Sequence, residues 1–191
     1  MILGKTAFVD LSAGTVGIED TPEDLVRSFL GGRGANMAYL HRLLPVGADP
    51  LGPENVLIFG CGLLTGYPAP SSGRMNISAK SPESGIIGDA NMGGFFPAEL
   101  RKAGFDRLVI TGRSAEPVYL YVSAGRVELR PASAYWGLDA WDTQVALERD
   151  LGHGVRSAAI GYAGENLVRF ACIMNGRKNA AGRGGMGAVM G

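Results

Sequence analysis

Short apolar runs closed by glycine dominate the pattern of this chain. Leu11-Ser12-Ala13-Gly14-Thr15-Val16 sets a glycine turn between two strand ends. Val122-Ser123-Ala124-Gly125-Arg126-Val127 does the same, so both segments predict β-hairpins. Leu57-Ile58-Phe59-Gly60 and Leu108-Val109-Ile110 are uninterrupted apolar runs of the kind found in strands buried on both faces. Thr21-Pro22-Glu23-Asp24-Leu25 reads as a helix start, with Thr21 as N-cap, Pro22 at the first helical position and acids in the first turn. Further helices are predicted over about 97–103, ended by Gly104, and about 142–151, ended by Gly152; a strand is predicted over 168–173.

These segments recur in the same order. The first hairpin is echoed by the second, the helix after Thr21 by 142–151, and Leu57 to Gly60 by Ala158-Ala159-Ile160-Gly161. The Gly93-Gly94 pair is echoed by Gly184-Gly185. The spacing between matched glycines falls from 111 at Gly14/Gly125 to 101 at Gly60/Gly161 and 91 at Gly93/Gly184, as a duplication with shorter loops in its second copy would require. The expected organisation is one cofactor-binding domain over 1–191, with repeat one at about 5–113 and repeat two at about 117–191. The second copy then lacks the rest of its last helix and its last strand, which lie at roughly 97–111 in the first. The parent chain is expected to continue past Gly191 with a short basic helix and an apolar strand. A chain without them carries an unpaired sheet edge.

Composition narrows the function. With 18 basic and 18 acidic residues the net charge is zero, and no cluster of four Lys or Arg occurs, which argues against nucleic acid or an anionic membrane as partner. No apolar run approaches a membrane span, and the N-terminus lacks the marks of a secretory signal, so a cytoplasmic α+β protein is expected. The 30 glycines are about twice the usual share. Cys61 and Cys172 lack a second Cys or His at ligand spacing and read as small core residues, and neither His41 nor His153 has a catalytic partner. Trp136 and Trp141 read as packing anchors.

The candidate chemistry lies in the glycine runs. Ala180-Ala181-Gly182-Arg183-Gly184-Gly185-Met186-Gly187 leads into a predicted helix start, and Asn91-Met92-Gly93-Gly94-Phe95-Phe96 does the same before residue 97. Bare backbone N–H groups in such loops bind phosphates. Arg74, in Ser71-Ser72-Gly73-Arg74-Met75-Asn76, is a loop arginine suited to phosphate or carboxylate. Gly182 to Gly187 also satisfies G-x-G-x-x-G, but a dinucleotide fold wants that motif directly after its first strand, with an acid about 20 residues on.

Taken together, Leu63-Leu64-Thr65-Gly66, Ser72 to Asn76, Ala90 to Leu100, Ala103-Gly104-Phe105-Asp106, Ile160 to Val168 and Ala180 to Gly185 closely resemble the N-terminal domain of the aldehyde ferredoxin oxidoreductase family of tungsten-pterin enzymes. The resemblance spans essentially the whole chain. It implies an α+β fold, a duplicated pseudo-twofold repeat of mostly antiparallel sheets with short helices, serving as the base for a bis-pterin cofactor. That tungstopterin holds tungsten, or in some relatives molybdenum, through its own sulfurs. By resemblance, Arg74 and Gly93 contact the pterins or their phosphates, and Gly182 and Arg183 form the second phosphate loop. The backbone carbonyls of Asn91 and Ala180 hold a magnesium ion that bridges the phosphates. Asn179 stands where the family often has arginine, which weakens one phosphate contact unless Arg177 or Lys178 reaches in.

The same resemblance places a 4Fe-4S cluster and the acid/base groups in later domains absent from this chain, so no catalytic residue is expected within it. The full enzyme would oxidise aldehydes to carboxylates with ferredoxin as electron acceptor, as a homo-oligomer. This fragment alone would be inactive. Two rivals remain at this stage: an NAD-type dinucleotide-binding domain, which predicts a parallel sheet, and a cofactor-free assembly module or subunit.

Overall fold

The computed structural model describes residues 4–191. In chain order the elements are β1 (Lys5–Asp10), β2 (Thr15–Asp20), α1 (Glu23–Phe29), α2 (Gly32–Leu43), β3 (Leu57–Cys61), β4 (Met75–Lys80), β5 (Ile87–Met92), α3 (Phe96–Lys102) and β6 (Phe105–Thr111). They continue with β7 (Val118–Ser123), β8 (Arg126–Pro131), α4 (Ala140–Leu151), α5 (Tyr162–Glu165), β9 (Ile173–Asn175), β10 (Asn179–Ala181) and α6 (Met186–Met190).

The fold is α+β. Six strands form one sheet in the order β2-β1-β6-β3-β4-β5; β1 runs parallel to β6 and every other pair is antiparallel. The central strands carry continuous apolar runs because both faces are covered. On one face Phe8, Ile58 and Val109 meet Leu25, Tyr39 and Leu40 of α1 and α2. On the other, Phe59, Ile77, Met92 and Leu108 join Leu100, Ile173, Ala181 and Met186 in the main core. Strand alternation divides neighbours such as Ile58 and Phe59 between the two cores.

The second half forms two separate two-stranded sheets, β7-β8 and β9-β10. The Ala158 to Gly161 run, expected as a strand, makes only one bridge, in which Ala159 and Met174 exchange backbone hydrogen bonds at 2.9 and 2.8 Å. The strand expected at 168–173 starts at Ile173 instead. Val168 and Ala171 are spent on local turns, donating to Ala163 and Val168 carbonyls, so Cys172 precedes the strand.

Helix starts differ in detail from the sequence expectation. Pro22, not Thr21, is the N-cap of α1. The Thr21 hydroxyl is buried 3.3 Å from that of Thr6, where it joins the strand end to the helix instead of capping it. α4 begins two residues before the expected 142, because Asp139 accepts from the N–H groups of Trp141 and Asp142, both at 2.8 Å. Trp136 and Trp141 are more than a third exposed, so they are not core anchors; Trp141 carries the Arg177 guanidinium 4.0 Å from its ring centre. At the start of β6, Asp106 pairs with Arg101 of α3 and accepts from the Gly4 N–H at 2.8 Å, which fastens α3 to the sheet.

Candidate functional site

The glycine runs meet where two sheet edges face each other. β5 is the last strand of the large sheet, β10 is an edge of the β9-β10 pair, and the two lie side by side without a hydrogen-bonded ladder. Met92 and Ala181 point into the main core. Their neighbours Asn91 and Ala180 therefore take the opposite, open face.

Register determines where the main-chain groups of this seam point. In an antiparallel pair, hydrogen-bonded and non-hydrogen-bonded positions alternate. Ser81 donates to the Ile86 carbonyl at the β4-β5 turn, which makes Asn76↔Asn91 a non-hydrogen-bonded pair. The Asn91 carbonyl thus points away from β4, out of the sheet edge. On the other side Met174 is committed to Ala159, so Met174↔Ala180 is likewise non-hydrogen-bonded and the Ala180 carbonyl points away from β9. The two edges present these carbonyls to a common seam.

The turns after both strands close over the same seam. Gly94 has φ +93°, and a Cβ there would lie 2.5 Å from Asn175 Nδ2 and 3.0 Å from Asn179 Nδ2. Asn175 Nδ2 donates to the Gly93 carbonyl at 2.8 Å, locking the first turn to the second half. Gly184 packs over the start of β5, where a Cβ would meet Asp89 N and Gly88 Cα at 3.9 Å. Gly182 and Arg183 are exposed, as is Arg74 just before β4. Among the described residues neither guanidinium is in an ion pair. Asn179 lies along Gly93 and Gly94. The Arg177 guanidinium lies 4.0 Å from the ring centre of Trp141.

Beneath this face runs a buried polar line that sequence reading missed. Asn36 of α2 accepts from Arg107 Nε at 2.9 Å and donates to the Asn76 carbonyl at 3.1 Å and to Ser78 Oγ at 3.2 Å. Asn76 Nδ2 donates onward to Asp89 Oδ2 at 2.8 Å and Asn91 Oδ1 at 3.2 Å, and Arg33 closes on Asp89 at 2.8 Å. Burial pushes the Arg107 guanidinium below its ordinary pKa, partly offset by Tyr39, whose ring lies 5.2 Å from it. The sequence signal for this line was Gly60 on β3, where Asn36 occupies the space a Cβ would need.

No group of three or more His, Cys, Asp or Glu side chains converges among the described residues. The polar groups on the open face are glycine N–H groups and two free arginines, which donate, and two outward carbonyls, which accept. Such a set suits a phosphate-bearing group with an oxygen-loving cation, and the cradle is shaped by positions that a Cβ would fill. Cys61 is buried under α3, donates to the Pro97 carbonyl at 3.6 Å, and has its thiol pushed up to about 12 by burial. His41 ends α2 on the surface and His153 is exposed.

The profile of the aldehyde ferredoxin oxidoreductase N-terminal domain matches residues 6–191. The chain belongs to the aldehyde ferredoxin oxidoreductase family. It is 48% identical over 189 residues to a tungsten-containing aldehyde ferredoxin oxidoreductase of Thermococcus kodakarensis, covering 98% of this chain and 31% of that protein. It is 46% identical over the same length to the enzyme so named from Pyrococcus furiosus, again 31% of it. The WOR-like subunit of an aliphatic sulfonate oxidoreductase from that organism is 38% identical. Among solved structures, the active-site complex BamBC of benzoyl-coenzyme A reductase with 1,5-dienoyl-CoA superposes with a TM-score of 0.95 at 41% identity, over 98% of this chain and 29% of that one. This family domain thus spans about a third of the length of the relatives it matches.

The dinucleotide reading is not favoured. The G-x-G-x-x-G run follows an antiparallel hairpin instead of opening a β-α-β unit, and β1-β6 is the one parallel pair in the described residues. No helix among them is long and apolar enough to cross a membrane.

Proposed function

We propose that this domain is the base on which a tungsten-pterin cofactor is held, as part of a longer cytoplasmic enzyme that oxidises aldehydes to carboxylates with ferredoxin as acceptor. One observation carries the reading. Two sheet edges, each followed by a glycine turn, direct the Asn91 and Ala180 carbonyls into one seam beside two unpaired arginines. The N–H groups of Gly93 and Gly182 would receive phosphate oxygens, and Arg74 and Arg183 would neutralise the remaining charge. The Asn91 and Ala180 carbonyls, with those phosphates, make an all-oxygen site for magnesium. When bound, the tungsten-pterin group supplies the redox chemistry.

This chain's own work is binding and orientation. The Asn36-Asn76-Asp89 line fixes β5, and Asn175 fixes the first turn against the second half. The 4Fe-4S cluster, the acid/base groups and the surfaces for ferredoxin and self-association belong to the remaining two thirds of the enzyme.

The test is purification of full-length protein with Arg74→Ala and Arg183→Ala together. Both side chains are exposed, so the melting temperature of the metal-free protein should stay within about 2 °C of the parent, since such surface changes shift stability by no more than about 0.5 kcal/mol. Tungsten and pterin per chain should fall at least about tenfold, the equivalent of about 1.4 kcal/mol of binding. Unchanged cofactor content would refute the assignment of these residues.

A further inference from the structure

Arg107 is a cation buried without a counter-ion. It is 1% exposed, and among the described residues it takes part in no ion pair. Its Nε donates to Asn36, while Nη1 has no hydrogen-bond partner. The titratable groups whose charge bears on it are the Tyr39 phenol and the Cys61 thiol, and no carboxylate is among them. Arginine keeps its charge even where burial opposes it. A buried charge without a partner works against folding.

The polar line leads this charge outward. Arg107 Nε donates to Asn36 Oδ1 at 2.9 Å, Asn36 Nδ2 to Asn76 Oδ1 at 3.2 Å, and Asn76 Nδ2 to Asn91 Oδ1 at 3.2 Å. The three amides therefore share one sense, each oxygen turned toward Arg107 and each N–H turned toward the seam. The reverse setting of Asn36 would bring its oxygen against the Asn76 carbonyl and its NH2 against the guanidinium. Head-to-tail dipoles of this kind polarise one another in a low-dielectric interior. Ser78 Oγ accepts from Asn36 at 3.2 Å and donates to Asn76 Oδ1 at 2.5 Å, which supports the same orientation. With its Oδ1 turned inward, Asn91 presents Nδ2 to the open face, where it has no acceptor among the described residues.

The rest of the line is electrically neutral. Asp89 accepts from Asn76 Nδ2 at 2.8 Å, and Arg33 pairs with it at 2.8 Å. The net charge beneath the seam is then the single positive charge of Arg107.

We propose that Arg107 is a positioning residue for the group bound in the seam: through the aligned amides of Asn36 and Asn76 it holds Asn91 Nδ2 toward that group and raises its reduction potential. This rests on the tungsten-pterin reading above. A fixed positive charge favours the more negative, reduced form of a redox group over its oxidised form. A merely structural Arg107 would need only the N–H that satisfies Asn36, and its charge would be irrelevant.

The test is a potentiometric titration of the tungsten centre, read by electron paramagnetic resonance, on natively purified full-length protein. Arg107→Gln puts an amide nitrogen at the same point along the side chain as arginine Nε, so it keeps the donor to Asn36 and removes the charge. At parental tungsten and pterin content its midpoint should fall by about tenfold in the ratio of reduced to oxidised form, which is about 59 mV for one electron. Arg107→Lys keeps the charge and should stay within about threefold of the parent. An unshifted midpoint in Arg107→Gln, or an equal fall in both variants, overturns the proposal. Should Arg107→Gln fail to fold or to load, Asn36→Asp decides. Its carboxylate cancels the guanidinium charge at the same contact, so the midpoint should again fall, and an unshifted value overturns the proposal. Parent protein free of tungsten and pterin refutes instead the reading on which the proposal rests, before any variant is compared.

Discussion

The two glycine turns of the seam have the same outline but different supports. Gly94, at φ +93°, is hemmed in by the amide ends of Asn175 and Asn179. Gly185, at φ +70°, is hemmed in by the Arg169 main-chain carbonyl and by Pro82 Cγ at 2.8 Å. Side-chain amides can swing aside, but a carbonyl inside a hydrogen-bonded turn cannot. The first turn therefore yields more readily than the second, though moving Asn175 breaks its bond to the Gly93 carbonyl. A motif read from glycine spacing alone treats them as equals.

The largest expected effect breaks the second turn. Gly185→Ala adds a left-handed penalty of about 1–2 kcal/mol to an overlap that only backbone movement relieves, for a total loss of about 3 kcal/mol or more in chemical denaturation. A loss below about 1 kcal/mol would show that the second turn is as adjustable as the first. Next comes the support beneath the first turn. Asn36→Ala leaves Arg107 Nε and the polar side chains of β4 without their partner in a buried site, and should cost about 2 kcal/mol by the same measurement. Gly94→Ala should cost about 1–2 kcal/mol. Combined with Asn175→Ala it should cost less than the two single losses together, by about 0.5 kcal/mol or more, because the obstructing amide is gone. Strict additivity would remove Asn175 from the account of the first turn.

The last effect, absent at neutral pH, is a pH dependence on the first turn's side. Cys61 lies under α3, the helix that follows Gly94, and holds its proton up to about 12, against 9.0 in the unfolded chain. Between those values the folded state retains a proton that the unfolded state has lost, so stability falls as pH rises. The slope is at most about 1.4 kcal/mol per pH unit and vanishes below pH 9. Cys61→Ala should lack that component in denaturation curves taken from pH 8 to 11. An identical slope in both proteins would place its origin elsewhere.

Local signals made the hairpins, the buried strands and α4 legible, because a two-residue glycine turn or an uninterrupted apolar run has few alternatives. Glycine spacing also located the seam. What stayed hidden depends on contacts far apart in sequence. Thr21 reads as a cap, yet its hydroxyl is drawn to Thr6 across the sheet end. The run at 168–173 has strand composition, yet local turns claim its first residues. Asn36 gives no sign within its own helix that it reaches β4 forty residues on. The outward set of the Asn91 and Ala180 carbonyls follows from register, which no local pattern states.

The central claim, that this seam holds a phosphate-bearing tungsten-pterin group, is tested most directly by elemental and pterin analysis of natively purified full-length protein. The account predicts about one tungsten, with magnesium, and two pterins per chain. A stably folded full-length protein free of both metal and pterin would contradict it.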